Sequence, residues 1–166
     1  PYLDKELFQR LIQTSPGIKF LFVGPYNKQG SFYRELKDFK NIIWVGKIPI
    51  QEIPFYLLKS DILLVLYAEK YHDDQSSPHK FMEYFASGKV IVATYTDEYK
   101  DKEELIVMSR NNSEYEKNFK KVVHNIEYYN SAELQTKRIE FAYQNSYKVQ
   151  LNKIFQLINQ HVTIKA

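Results

Sequence analysis

Apolar residues along this chain occur either in short unbroken runs or at helical spacing. The unbroken runs are typical of strands buried on both faces of a parallel sheet, because they do not alternate between apolar and polar residues. These runs lie at 19–24, 41–46, 61–67, 90–94 and 104–109. We therefore predict five strands, each followed by a turn or a helix.

The segments between the runs have the spacing of amphipathic helices. Helices are predicted over 3–14, 31–39, 50–59, 77–87, 112–126 and 131–162, the last one broken near Asn145-Ser146. Four residues of segment 50–59 fall on one stripe and are predicted to be buried together: Ile50, Ile53, Leu57 and Leu58. Helix N-caps are predicted at Ser77 and at Asn112-Ser113.

Strands and helices that alternate along a chain predict an α/β fold. We expect a Rossmann-like parallel sheet of about five or six strands flanked by helices. Residues 1–166 are predicted to form a single domain, with 131–166 as a carboxyl-terminal helical segment that packs on it.

Composition narrows the possible functions without selecting one. The chain has 166 residues, 44% of them hydrophobic, and a formal net charge of only +3. Its basic and acidic residues are mixed, so we expect no nucleic-acid partner. The sequence contains no cysteine, and no apolar run approaches the roughly 20 residues of a membrane span.

The segment 61–94 contains the residues with the clearest chemical pattern. A buried strand is followed by a polar loop, and Ser77-Pro78 then begins a helix that is predicted to end at Gly88. In open α/β sheets, ligands bind at the carboxyl ends of the strands, where this helix begins. We therefore expect the ligand site to lie here.

Lys80 and Glu83 lie one turn apart at the start of that helix. A lysine near a helix N-terminus is mildly unfavourable unless an anion is present, and a phosphate held by Lys80, by the Ser76 and Ser77 hydroxyls and by free backbone N–H groups would meet that need. Glu83 would then lie near the hydroxyls of an attached sugar. The alternative is an ordinary exposed ion pair at i, i+3.

The segment 76–94, SSPHKFMEYFASGKVIVAT, resembles the donor-site signature of retaining glycosyltransferases with the GT-B fold, of the group 1, family 4-like branch. Upstream, KFLFVGP and NIIWVGKIPIQEIPFYLLKSDILLVLY are similar to the same family's order of strands, glycines and helix. The resemblance extends over nearly the whole chain.

The resemblance implies that the chain is the carboxyl-terminal, donor-binding half of a two-domain enzyme. It makes Lys80, on the diphosphate, and Glu83, on the ribose, the candidate catalytic residues. The other donor-site residues that it implies are Gly24, Pro25, Gly46, Lys47, Ile48, Gln75, Ser76, Ser77, Pro78 and His79. Many relatives have a glutamate where this chain has Gln75, so a donor-sugar contact is in question there.

The resemblance also implies a UDP- or GDP-linked sugar as donor, a glycan or lipid-linked acceptor, and an amino-terminal acceptor domain outside these residues. No metal and no cofactor are expected; the four histidines lack metal-ligand spacing. The implied setting is cytoplasmic polysaccharide assembly, with peripheral membrane contact of the full-length protein allowed. Two alternatives remain open: a nucleotide-sugar 2-epimerase of the same fold, and a non-catalytic nucleotide-binding or interaction module.

Overall fold

The computed structural model of the chain describes residues 3–71 and 79–163. Strands and helices alternate within them as predicted. The strands are β1 (Phe20–Val23), β2 (Ile42–Gly46), β3 (Ile62–Val65), β4 (Val90–Thr94) and β5 (Ile106–Ser109). The helices are α1 (Lys5–Thr14), α2 (Ser31–Leu36), α3 (Ile53–Lys59), α4 (His79–Ala86), α5 (Asn112–His124), α6 (Ile126–Tyr129), α7 (Ala132–Gln144) and α8 (Tyr147–Thr163).

All the paired strands run parallel. β1 pairs with β2, while β3, β4 and β5 form a second sheet with β4 in the middle. The predicted parallel α/β class is confirmed, although the five strands form two sheets and not one continuous sheet. Outside the strands, Leu3 forms an isolated antiparallel bridge with Tyr67.

Side chains of β4 alternate between two hydrophobic cores, one on each face of the sheet. Val90 and Val92 belong to a core with α1 and α5, whereas Ile91 and Ala93 belong to a core with α4 and α7. β4 is buried at all five positions, which explains its unbroken apolar sequence.

Helix caps explain where two of the helices begin. The Asp4 carboxylate accepts a 2.8 Å hydrogen bond from the Leu7 N–H at the start of α1. At α5, the side chain of Asn111 accepts from the Glu114 N–H, and the Glu114 carboxylate accepts from the Arg110 N–H. The α5 N-cap is therefore Asn111, one residue before the predicted Asn112-Ser113.

The predicted buried stripe of segment 50–59 is wrong for Ile50 and Leu58, and Ile53 and Leu57 are only half-buried. Ile50 is 69% exposed and Leu58 is 58% exposed. Ile50–Glu52 forms a 3₁₀ turn before α3. α3 itself begins at Ile53, so Ile50 lies in the turn before the helix and is not part of its packed side. Leu58 is one residue beyond Leu57 and so lies on a different side of the helix.

The carboxyl-terminal helices differ in how they pack. α7 lies against α4, and Ala142 contributes to their shared core. α7 and α8 are separated at Asn145 and Ser146, as predicted. Several apolar side chains of α8 are exposed, among them Leu151, Ile154 and Phe155.

Candidate donor-binding site

The carboxyl ends of parallel strands meet at one edge of each sheet, which we call the carboxyl edge. Gly24 directly follows β1, Gly46 ends β2, and Tyr67 lies two residues beyond β3. α4 follows β3 in the chain and leads to β4, so it begins at this edge. The candidate site is built from these strand ends and the start of α4.

α4 buries one face and exposes the other. Phe81 and Phe85 are fully buried against β3, β4 and α7, while Lys80 and Glu83 are exposed. Residues three apart on a helix lie on the same side. The two predicted ligand-binding residues therefore share the solvent-facing side of the first turns of α4.

The Lys80 side chain lies across the end of β3. Its Nζ atom is 4.8 Å from the centre of the Tyr67 ring. The Tyr67 N–H in turn donates a 3.1 Å hydrogen bond to Oγ1 of Thr94, at the end of β4. The structure thus places this ammonium group at the carboxyl edge, next to the ends of two adjacent strands.

Lys80 and Glu83 do not form the ion pair that their spacing allows. In the part of the chain that the structure describes, no carboxylate forms an ion pair with Lys80. The neighbouring hydroxyl of Tyr84 is largely buried, and burial, with smaller effects of Tyr67 and Glu83, raises its pKa to about 12. Tyr84 is therefore neutral at physiological pH.

Gly24 and Gly46 connect the ends of β1 and β2. The Gly24 N–H donates a 2.9 Å hydrogen bond to the Gly46 carbonyl oxygen. Their φ angles are +136° and +85°, which favour glycine. The residues that follow them, Pro25 and Lys47, are exposed, and Ile48 is half-buried.

An aromatic group beside these glycines was not predicted as part of the site. The rings of Tyr26 and Tyr33 stack with their centres 5.2 Å apart, and Tyr26 lies 4.8 Å from Trp44. Trp44 Nε1 is buried without a hydrogen-bond partner among the described residues. The position of Tyr26 directly after Gly24-Pro25 could have suggested that this residue belongs to the site. Tyr33 and Trp44 are brought next to Tyr26 only by the fold.

Several predicted site residues lie outside the described part of the chain. These are Gln75, Ser76, Ser77 and Pro78, which include the predicted N-cap. His79 is described as the first residue of α4. The polar loop that would complete the site around Lys80 thus remains a prediction.

A cavity of about 640 Å³ lies elsewhere, beside β5. Its wall carries charges of both signs, including Lys100, Glu103, Arg110 and Lys121, and it does not include Lys80 or Glu83. The guanidinium of Arg110 lies 4.1 Å from the centre of the Tyr95 ring at its rim. This cavity and the predicted donor site are therefore different places on the molecule.

Residues 3–71 and 79–163 contain no group of three or more histidine, aspartate or glutamate side chains placed to hold a metal ion. No helix in these ranges combines the length and apolar character that crossing a bilayer requires.

Comparison with known families assigns the chain to one of them. Residues 2–125 match the family model described as glycosyl transferases group 1. This chain belongs to the group 1 glycosyl transferases. The matched residues contain all five strands together with Lys80 and Glu83, and the family resemblance seen in the sequence is confirmed.

This group 1 glycosyl transferase chain has a relative in TuaH of Bacillus subtilis (strain 168), provisionally named a teichuronic acid biosynthesis glycosyltransferase. The two are 32% identical over 95 residues, which make up 57% of this chain and 24% of TuaH.

A similar solved structure is Anabaena Alr3699/HepE, crystallised in complex with UDP and glucose. It matches 98% of this chain with a TM-score of 0.65 at 15% identity, which shows a shared fold. The chain spans 45% of the HepE chain, so it matches less than half the length of either protein.

Proposed function

We propose that this chain binds the nucleotide-sugar donor of a glycosyltransferase that transfers a sugar to a glycan or lipid-linked acceptor. Membership of the group 1 family supports the reaction class. The observation that carries the proposal is the position of Lys80: an exposed ammonium group at the carboxyl edge, held beside Tyr67 and unpaired with any described carboxylate.

Lys80 would act on the diphosphate of the donor. In the transfer reaction the anomeric carbon exchanges its bond to a diphosphate oxygen for a bond to an acceptor oxygen, and the acceptor hydroxyl loses its proton. The electron pair of the broken bond stays on the departing diphosphate. A cation at this position would stabilise the charge that develops there, and the N-terminus of α4 would add its own positive dipole end.

The remaining donor contacts follow from the same edge. Glu83, on the same side of α4, would accept hydrogen bonds from the ribose hydroxyls. The strand ends at Gly24 and Gly46 would approach the base, because residues without a side chain leave the backbone open to a ligand. The predicted loop residues 75–78 would surround the phosphates.

A second half of the enzyme, outside these 166 residues, would hold the acceptor. The reaction would take place in the cytoplasm, with the full-length protein in peripheral contact with a membrane. UDP-linked sugars are the first donors to test, because HepE was crystallised with UDP and glucose.

The test uses the full-length protein and a panel of UDP- and GDP-linked sugars, with release of nucleoside diphosphate as the assay. With the best donor, Lys80→Ala should lower kcat by about 100-fold or more, as expected for loss of charge stabilisation in the transition state. The thermal unfolding midpoint should change little, because the side chain is exposed. Lys120→Ala, an exposed lysine on α5, is the matched control.

An unchanged kcat in Lys80→Ala would remove the assigned role. If the protein formed an epimerised donor and no transfer product, its function would be that of a nucleotide-sugar 2-epimerase and not of a glycosyltransferase.

A further inference from the structure

The Tyr67 ring contacts the Lys80 side chain at the carboxyl edge. Lys80 Nζ is 4.8 Å from the centre of the Tyr67 ring, well within the distance of about 6 Å at which a cation is attracted to an aromatic face. The two residues are 13 positions apart in sequence, on β3's carboxyl side and on α4. This contact therefore joins two different elements of the site.

The position of Tyr67 is set by the backbone on both sides. Its N–H donates to the side chain of Thr94, which is buried at the end of β4. Tyr67 also forms an antiparallel bridge with Leu3, just before α1. A ring anchored in this way offers a fixed face to a long and otherwise mobile lysine side chain.

An aromatic face holds a cation differently from a carboxylate. A carboxylate partner would neutralise the ammonium charge and occupy its N–H donors, whereas the ring attracts the charge through its quadrupole and leaves the net charge in place. Within the described residues, Lys80 has the aromatic contact and no carboxylate partner. As far as residues 3–71 and 79–163 are concerned, the ammonium group thus keeps its charge for an arriving anion.

A contact of this kind offsets an unfavourable arrangement of charge at the start of α4. The N-terminal end of a helix carries partial positive charge, which repels a lysine in the first turn. Without an attractive neighbour, Lys80 would extend into solvent in the absence of ligand. The Tyr67 ring supplies that neighbour before the ligand binds.

We propose that Tyr67 is the positioning residue for Lys80, orienting its ammonium group toward the donor diphosphate. This inference rests on the proposed function, because it assumes that Lys80 binds the diphosphate. It adds a residue that the family motif around Ser77–Thr94 does not contain.

The experiment compares Tyr67→Leu and Tyr67→Phe in the full-length enzyme. Leucine removes the aromatic face, whereas phenylalanine keeps it and loses only the hydroxyl. Tyr67→Leu should lower kcat/KM for the donor by about five- to tenfold and weaken binding of UDP or GDP by a similar factor. Tyr67→Phe should stay within about threefold of the wild type. Tyr143→Leu, an exposed tyrosine on α7, is the control for a general effect of the substitution.

Double variants separate positioning from a structural role. If Tyr67 acts through Lys80, adding Tyr67→Leu to Lys80→Ala should cause no further loss of kcat/KM. An equal loss in both backgrounds would overturn the proposal, as would equal losses for Tyr67→Leu and Tyr67→Phe, or full activity of Tyr67→Leu.

Different results would reject the positioning role of Tyr67 and the proposed function. A normal Tyr67→Leu beside a severely impaired Lys80→Ala rejects the positioning role and leaves the function intact. A normal Lys80→Ala rejects the assigned function first.

Discussion

Nη1 of Arg138 donates a 3.0 Å hydrogen bond to the carbonyl oxygen of Gly88, at the turn between α4 and β4. The same guanidinium donates to the carbonyl oxygens of Leu105 and Tyr129, both at 2.8 Å. Arg138 is 1% exposed, and desolvation lowers its pKa to about 10, so the side chain remains cationic at neutral pH. One buried cation thus joins α7 to the turn between α4 and β4, to α6 and to the residue just before β5.

Arg138→Met should destabilise the protein strongly. The substitution keeps a long apolar side chain but leaves three carbonyl oxygens without these donors, and we expect a loss of about 2–4 kcal/mol in the free energy of unfolding. Urea unfolding measures this value. Lys137→Met is the matched control, because Lys137 is half-buried and loses only surface ion pairs with Glu104 and Glu133, so its midpoint should change much less. Equal midpoints for the two variants would mean that water replaces the guanidinium without loss.

Buried tyrosines should make the protein less stable at alkaline pH. Burial raises the pKa of Tyr84 to about 12, and burial also raises the pKa of Tyr99 and of Tyr115, whose hydroxyl donates to the Val92 carbonyl oxygen. In the unfolded chain these groups ionise near pH 10. A folded-state pKa above the unfolded value gives stability that is complete below about pH 10 and is lost as pH rises through the folded values.

The free energy of unfolding should therefore fall between about pH 10 and 12. The lowered pKa of Arg138 makes the free energy of unfolding rise with pH over this range. This single group opposes three tyrosines, so the net change should still be a fall. Urea unfolding at intervals of pH gives the slope, and Tyr115→Phe, which removes one of the buried hydroxyls, should make it shallower. A flat profile in the wild type would show that these tyrosines ionise normally in the folded protein.

Glu83→Gln should weaken binding of the ribose part of the donor. An amide accepts hydrogen bonds less strongly than a carboxylate, so KM for the nucleotide sugar should rise by about tenfold, with a smaller change in kcat. Glu140→Gln, an exposed glutamate on α7, is the control.

A 2′- or 3′-deoxyribose analogue sharpens the Glu83 test. The wild type should prefer the normal nucleotide to the deoxy analogue, and this preference should shrink in Glu83→Gln. If the variant keeps the full preference, another residue holds the ribose.

The parts of the site that could be predicted lie close together in sequence. Lys80 and Glu83 share one helix, and helical spacing alone places them on the same side. The contact between Lys80 and Tyr67 could not be predicted in this way, because it depends on how α4 packs against the end of β3. The same holds for Trp44, whose place beside Tyr26 depends on the pairing of β1 with β2.

Local sequence determined where the strands and most helices lie, because apolar runs, helical spacing, caps and glycines with positive φ act over a few residues. It failed for Ile50, which lies in a 3₁₀ turn before α3, and for Leu58, which lies on an exposed side of α3. Only the tertiary structure decided that the strands form two sheets, that Tyr67 faces Lys80, and that Arg138 is buried among carbonyl oxygens. These features depend on contacts between residues distant in the chain, and such contacts form only when the packing of whole elements brings the partners together.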